Sequence, residues 1–213
     1  MPAPESLLLF MAATLLLNFT PGPDMLYCIA NSVGHGRRAG VVSAIGIGGG
    51  TLGHTLAATL GLSALLMSSA LAYDLVRYIG AAYLVYLGFR TLAGRSNSLP
   101  LASTSPGQRP AAASGTLFRR GVATNILNPK VALFFLAFLP QFVDPTRGPI
   151  VWQFLALGLL FTTSSTIVNA GVALAVGYAG DWLGRRPSVA RAQRWFTGGV
   201  FLALGARIAL GRG

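Results

Sequence analysis

Apolar residues run almost unbroken through six stretches, at about 7–32, 40–67, 70–93, 117–142, 150–178 and 194–211, with polar residues gathered between them. Each is close to or above the roughly 20 residues that cross a bilayer core. The pattern predicts an all-α integral membrane protein with six transmembrane helices. Two stretches carry interruptions. The first contains "NFTPGPDMLY" (18–27), and the fourth reads "FRRGVATNILNPKVALFFLAFLPQF", with Asn128-Pro129-Lys130 near its centre. Proline removes a backbone donor and clashes with the preceding helical turn, so the first and fourth helices are expected to be broken at midplane. Asn18, Asn125 and Asn128 are placed to bond the backbone groups thus freed. Irregular backbone at that depth survives only inside protein or beside a watery cavity.

The Ser-, Pro- and Gly-rich segment over 94–116 reads as a flexible linker. It divides the chain into a first three-helix repeat (1–93) and a second (117–213). The third span, "RYIGAAYLVYLGFR" (77–90), and the sixth, "RWFTGGVFLALGAR" (194–207), share Arg, Leu, Gly and Arg at matching positions. An odd number of spans per half makes such a repeat inverted, an arrangement that places transporter substrate sites near midplane where the halves meet.

Composition agrees with burial in lipid. Hydrophobic residues make up 53% and charged residues 10%, with mean hydropathy +0.62. The net charge of +11 does not form a basic stripe of the kind that binds nucleic acid. Eleven arginines border the first, third and fifth connections, while Arg77, Arg147, Arg207 and Arg212 border the other side. This asymmetry predicts cytoplasmic placement of the linker and extracytoplasmic termini. The N-terminal run lacks the basic start and small-residue cleavage site of a signal peptide and reads as a retained helix. Cys28, the single cysteine, excludes an internal disulfide.

Asp24 and Lys130 each follow a proline at comparable depth. Each costs about 2.5–3.5 kcal/mol at a span centre, so both should face the interior. A direct Asp24–Lys130 pair that only holds the halves together is one reading. The other is a solute site, because broken helices offer positive N-terminal ends and bare carbonyls to a small polar molecule. A zwitterion fits: Asp24 suits an ammonium, and Lys130 or a helix N-terminus suits a carboxylate.

The segments "TPGPDMLYCIANSVGHGRRAGVVSAIG", "GAAYLVYLGFRTL" and "FRRGVATNILNPKVALFFLAFLPQFVDP" together resemble the LysE/RhtB family of amino-acid exporters, in order and over nearly the whole chain. The resemblance implies export of amino acids or close derivatives across the bacterial cytoplasmic (inner) membrane, in exchange for protons. The matching positions are Pro21, Gly22, Pro23 and Asp24, with Asn125, Asn128, Pro129 and Lys130. Asp24, a titratable group in a partly dry site, is the leading candidate for the coupling proton.

Weaker signals remain. His54, within the second span, is a second candidate for the proton path or a packing residue. Gly48 to Gly53 fits GxGxxG, but no strand precedes it. Gly46/Gly50 and Gly49/Gly53 read better as close-packing faces, serving a homodimer or the contact between repeats. "FTTSSTIVNAG" in the fifth span brings hydroxyls and Asn169 to bilayer depth, where Asn169 is a candidate cavity residue. No hydrolase or metalloprotease motif appears, and five acidic residues are too few for a divalent-cation pump. No enzyme activity, cofactor or metal is therefore expected. The alternative is a non-transporting assembly subunit of a membrane complex.

Overall fold

Proline decides where the first helix stops. The computed structural model describes residues 4–64 and 113–183, with isolated positions within 71–93 and 195–206. The expected third and sixth spans, with their matching segments, and most of the linker lie outside these residues. Helix α1 spans Pro4–Phe19. Beyond it, Pro21 and Pro23 cannot donate, and Gly22 is extended. Helix α2 then starts with Pro23 in its first turn and runs over Pro23–His35, bent by 49° from α1. Gly36, at φ 88°, ends α2 and lets Arg37 open the next helix directly.

Helix α3 covers Arg37–Ala57 and continues through a π turn at Ala58–Leu62. Helix α4 spans Ser114–Ile126, so helical structure begins inside the segment read as linker. After Leu127 and Asn128, the short helix α5, Pro129–Leu133, passes into a π turn at Phe134–Phe138 and a 3-10 turn at Leu139–Phe142. This second pair is bent by 48° at its break. Helix α6 spans Ile150–Leu183. Among the described residues there is no strand. Two unbroken helices, Arg37–Leu62 and Ile150–Tyr178, are long and apolar enough to cross a membrane, and each bent pair also qualifies as one span.

Polarity is arranged inside out. Leu8, Leu60, Trp152 and Ile167 are exposed, while Thr14, Asn18, Asp24, Thr51, Asn125 and Lys130 are buried. That distribution suits a lipid surround, which accepts apolar surface and penalises unbonded polar groups. One aromatic cluster, Phe10, Phe134, Phe138, Phe142, Phe154 and Phe161, joins α1, the π turn after α5 and the start of α6. Its rings meet in tilted and edge-on pairs, such as Phe10–Phe142 at 5.3 Å and Phe134–Phe161 at 4.8 Å.

Helix α3 lies centrally, against α2, α4 and α6. Its glycines make this possible. A Cβ at Gly46 would lie 2.4 Å from the Phe118 carbonyl oxygen, and one at Gly48 would lie 2.5 Å from Thr166 Oγ1. Gly46, Gly49 and Gly50 therefore pack on α4, and Gly48 on α6, of the same chain, while Gly53 is exposed. Neighbours advance together, Gly46 with Phe118 and Gly50 with Asn125, so α3 and α4 run parallel. The turn after residue 142 is held by buried Gln153, which accepts from Asp144 N at 3.0 Å and donates to the carbonyls of Asp144 and Gly148. Bonds from the Thr146 hydroxyl and amide hold the exposed Asp144 carboxyl below its ordinary value.

Candidate substrate site at the two helix breaks

Breaking a helix leaves carbonyls at one new end and amides at the other. At the end of α1, Lys130 supplies the missing donors. Its ammonium donates to the Leu17 carbonyl at 3.1 Å and to the Thr20 carbonyl at 2.8 Å. A cation there also complements the negative end of α1. Gly22 leaves room for it, since a Cβ at that position would stand 3.3 Å from Lys130 Nζ.

The other crossing mirrors this one. Asp24, in the first turn of α2, accepts a hydrogen bond at Oδ2 from the Asn125 amide in the last turn of α4, at 2.8 Å. Each second half-helix thus sends its charged residue to the end of the opposite first half-helix. Leu17 and Thr20 face Lys130, while Asp24 faces Asn125, so the two broken helices cross antiparallel at their breaks. Asn128 caps α5 by accepting from Lys130 N at 3.0 Å. Gly22, at the corresponding position of α2, offers no side-chain cap.

This geometry decides between readings left open by the sequence. Asp24 and Lys130 form no ion pair with each other, as each is bonded elsewhere. Asn18 does not bond the freed backbone: its amide donates to Ser164 Oγ at 3.1 Å and ties α1 to α6. Pro21, Gly22, Pro23 and Pro129 shape the breaks through their backbone alone. His54 joins the group, with Nε2 at 3.1 Å from the Asn125 carbonyl and its ring 5.8 Å from that of Phe135. Asn169 is buried on α6, where its amide donates to the Ser165 carbonyl at 3.0 Å and its Oδ1 lacks a partner. Thr162 and Thr166 bond carbonyls one turn back in α6, as hydroxyls within helices often do.

Three polar atoms beside the breaks make no hydrogen bond of good geometry. Asp24 Oδ1 and Asn125 Oδ1 are acceptors, and Asn128 Nδ2 is a donor, with the Asn128 side chain close to the Asp24 carboxylate. All three residues are buried, at 4%, 0% and 1% exposure. Such atoms are costly unless something meets them. Two acceptors, one on a carboxylate, with a donor and an uncapped helix N-terminus nearby, match the groups of a zwitterion. The Leu17 and Thr20 carbonyls were invisible as partners in the sequence, because main-chain acceptors carry no residue signature.

Apolar surface outside, charged residues at antiparallel helix breaks and unmet polar atoms beside them are the features of a multi-span membrane protein with a polar interior. The chain belongs to the family of LysE type translocators, whose sequence pattern matches residues 15–212. It is 32% identical over 203 residues to an uncharacterized membrane protein of Vibrio cholerae, covering 95% of each chain. It is 30% identical over 205 residues to the homoserine/homoserine lactone efflux protein of Salmonella typhimurium, again covering 95% of each. A leucine efflux protein of the same organism is 27% identical over 200 residues, covering 94% of this chain and 92% of that one. No solved structure matches the chain.

Proposed function

We propose that the protein is a secondary active exporter of amino acids or close derivatives, working by alternating access with proton antiport. It lies in the bacterial inner membrane, with both termini outside the cytoplasm and six spans in two inverted repeats. The reciprocal crossing of the breaks supports the inverted arrangement, since a two-fold axis in the membrane plane would exchange Asp24–Asn125 with Lys130–Thr20. The similarity to homoserine and leucine efflux proteins supports the substrate class.

One observation carries the reading: the unpartnered, buried Oδ1 of Asp24. A substrate ammonium meets this oxygen together with Asn125 Oδ1, and the carboxylate meets Asn128 Nδ2 and the first amides of α2. Lys130 keeps the end of α1 closed off from solute and leaves the adjoining space to the substrate. A proton and an ammonium compete for the same carboxylate oxygen, which is the condition for exchanging one against the other. His54, reached through Asn125, extends the proton path towards the far end of α3.

The test is efflux from proteoliposomes loaded with labelled amino acids under an imposed pH gradient. Wild type loses its substrates faster with the gradient than without it. Asp24→Asn keeps a hydrogen-bonding group in place and abolishes the gradient-driven component. An Asp24→Asn protein that exported against a gradient at the wild-type rate would remove Asp24 from the coupling role.

A further inference from the structure

A cavity of about 350 Å³ opens beside the polar site. Ala58, Gly61 and Leu62 form one wall, and Phe135 and Leu136 the other, with His54 as its one polar lining residue among those described. Its volume falls at the small end of ligand pockets, roughly 300–1,000 Å³. Both walls are π-helical, at Ala58–Leu62 and Phe134–Phe138. Single π turns within helices recur at functional sites, because the extra residue opens the backbone where a ligand needs room. The cavity adjoins the second break through His54. His54 lies at its inner end against the Asn125 carbonyl, and the Asn125 amide holds Asp24.

We infer that this cavity receives the side chain of the transported amino acid and makes the protein selective for aliphatic amino acids of about leucine's size. This rests on the exporter reading and adds to it a side-chain pocket. The head group lies at Asp24 and Asn125, and the side chain extends past His54 between the two π turns. Each buried carbon is worth about a fourfold preference. Leucine, three carbons larger than alanine, is therefore favoured by tens of fold. Lysine is excluded, since its second ammonium would meet no acid among the described lining residues. A lipid chain as the occupant would give no dependence on amino acids.

Gly61 allows a direct test, because nothing lies within 4 Å of a Cβ built there. In a Cys28→Ala background, Gly61→Cys places a thiol in the cavity, and its reaction with N-ethylmaleimide is followed in proteoliposomes. Leucine and methionine slow the labelling, whereas alanine and lysine at equal concentration do not. Protection by none of the four, equal protection by lysine, or labelling blocked by lipid alone overturns the pocket. In parallel, Gly61→Leu fills the space: leucine efflux falls at least tenfold while alanine efflux stays within twofold, which also serves as the folding control. An equal fall for both overturns the pocket, and Gly61→Ala repeats the comparison with a smaller side chain. Leucine protection without efflux of any amino acid by wild type refutes the exporter reading and leaves the pocket standing.

Discussion

Replacing Gly46 by alanine tests the contact that seats α4, the first half of the second broken helix, on α3. The new methyl would stand 2.4 Å from the Phe118 carbonyl oxygen and 3.0 Å from its Cα, where ordinary contact begins at 3.4 Å. The opposing atoms are backbone, so no rotamer change relieves the clash, and the helices must part by about 1 Å. Overpacking of this kind costs about 1–3 kcal/mol. For a chain of this length each kcal/mol moves the melting point by about 2–4 °C. Gly46→Ala should therefore melt roughly 2–12 °C below wild type. One turn further along α3, a Cβ at Gly50 would lie 2.7 Å from that of Asn125. The displacement thus reaches the residue that bonds Asp24 and faces His54, and efflux should fall as well. Gly171→Ala is the control, for nothing lies within 4 Å of its Cβ. Alanine's better helix propensity should stabilise that variant by up to about 1 kcal/mol. Thermal unfolding in detergent, at one scan rate for all three proteins, is the assay. A Gly46→Ala protein melting with wild type, or a Gly171→Ala protein falling as far, would refute the reasoning.

Lys130→Met strands the Thr20 carbonyl at about 1–3 kcal/mol and leaves the Leu17 carbonyl to the Thr20 amide alone, but returns about 2.5–3.5 kcal/mol of the ammonium's insertion cost. The terms nearly cancel, so thermal unfolding should move little while efflux is lost. Lys130→Glu aims an anion at the same carbonyls and should melt far lower; two variants of equal stability would contradict the cap assigned to Lys130. Gln153→Leu removes three bonds from the turn over 143–149. It should cost about 1–3 kcal/mol and speed proteolysis near Thr146 without changing substrate affinity. A shifted substrate affinity would mean that this turn reaches the site.

The first, second, fourth and fifth spans and both breaks were legible because run length and proline act locally. Leu7 to Ser32 is too apolar to be anything but a span, and Pro21 and Pro23 interrupt it wherever the helix goes. The burial of Asp24 and Lys130 was equally plain from the cost of charge in lipid. Their partners were not. Opposite charges at matching depth invite a pair, yet the crossing of the helices gives Lys130 to two carbonyls and Asp24 to Asn125, and crossings leave no mark in spacing. Asn18 shows the same limit: its position before the break resembles a cap, while its real partner lies 146 residues away on α6. The glycine faces of α3 could be read, but not which helix they meet. The π turns that line the cavity have no sequence signature.

The exchange of charged residues between the breaks has a consequence for biosynthesis. Asp24 leaves the ribosome 101 residues before Asn125, and Leu17 leaves it 113 residues before Lys130. At about 5–20 residues per second, the first broken helix waits on the order of 5–20 s before either partner exists. Through that interval its open carbonyls and its carboxylate must be kept from lipid by water or by the insertion machinery. The chain is therefore most exposed to quality control midway through translation. A ribosome stalled between residues 30 and 125 would leave behind a half that cannot close its own break.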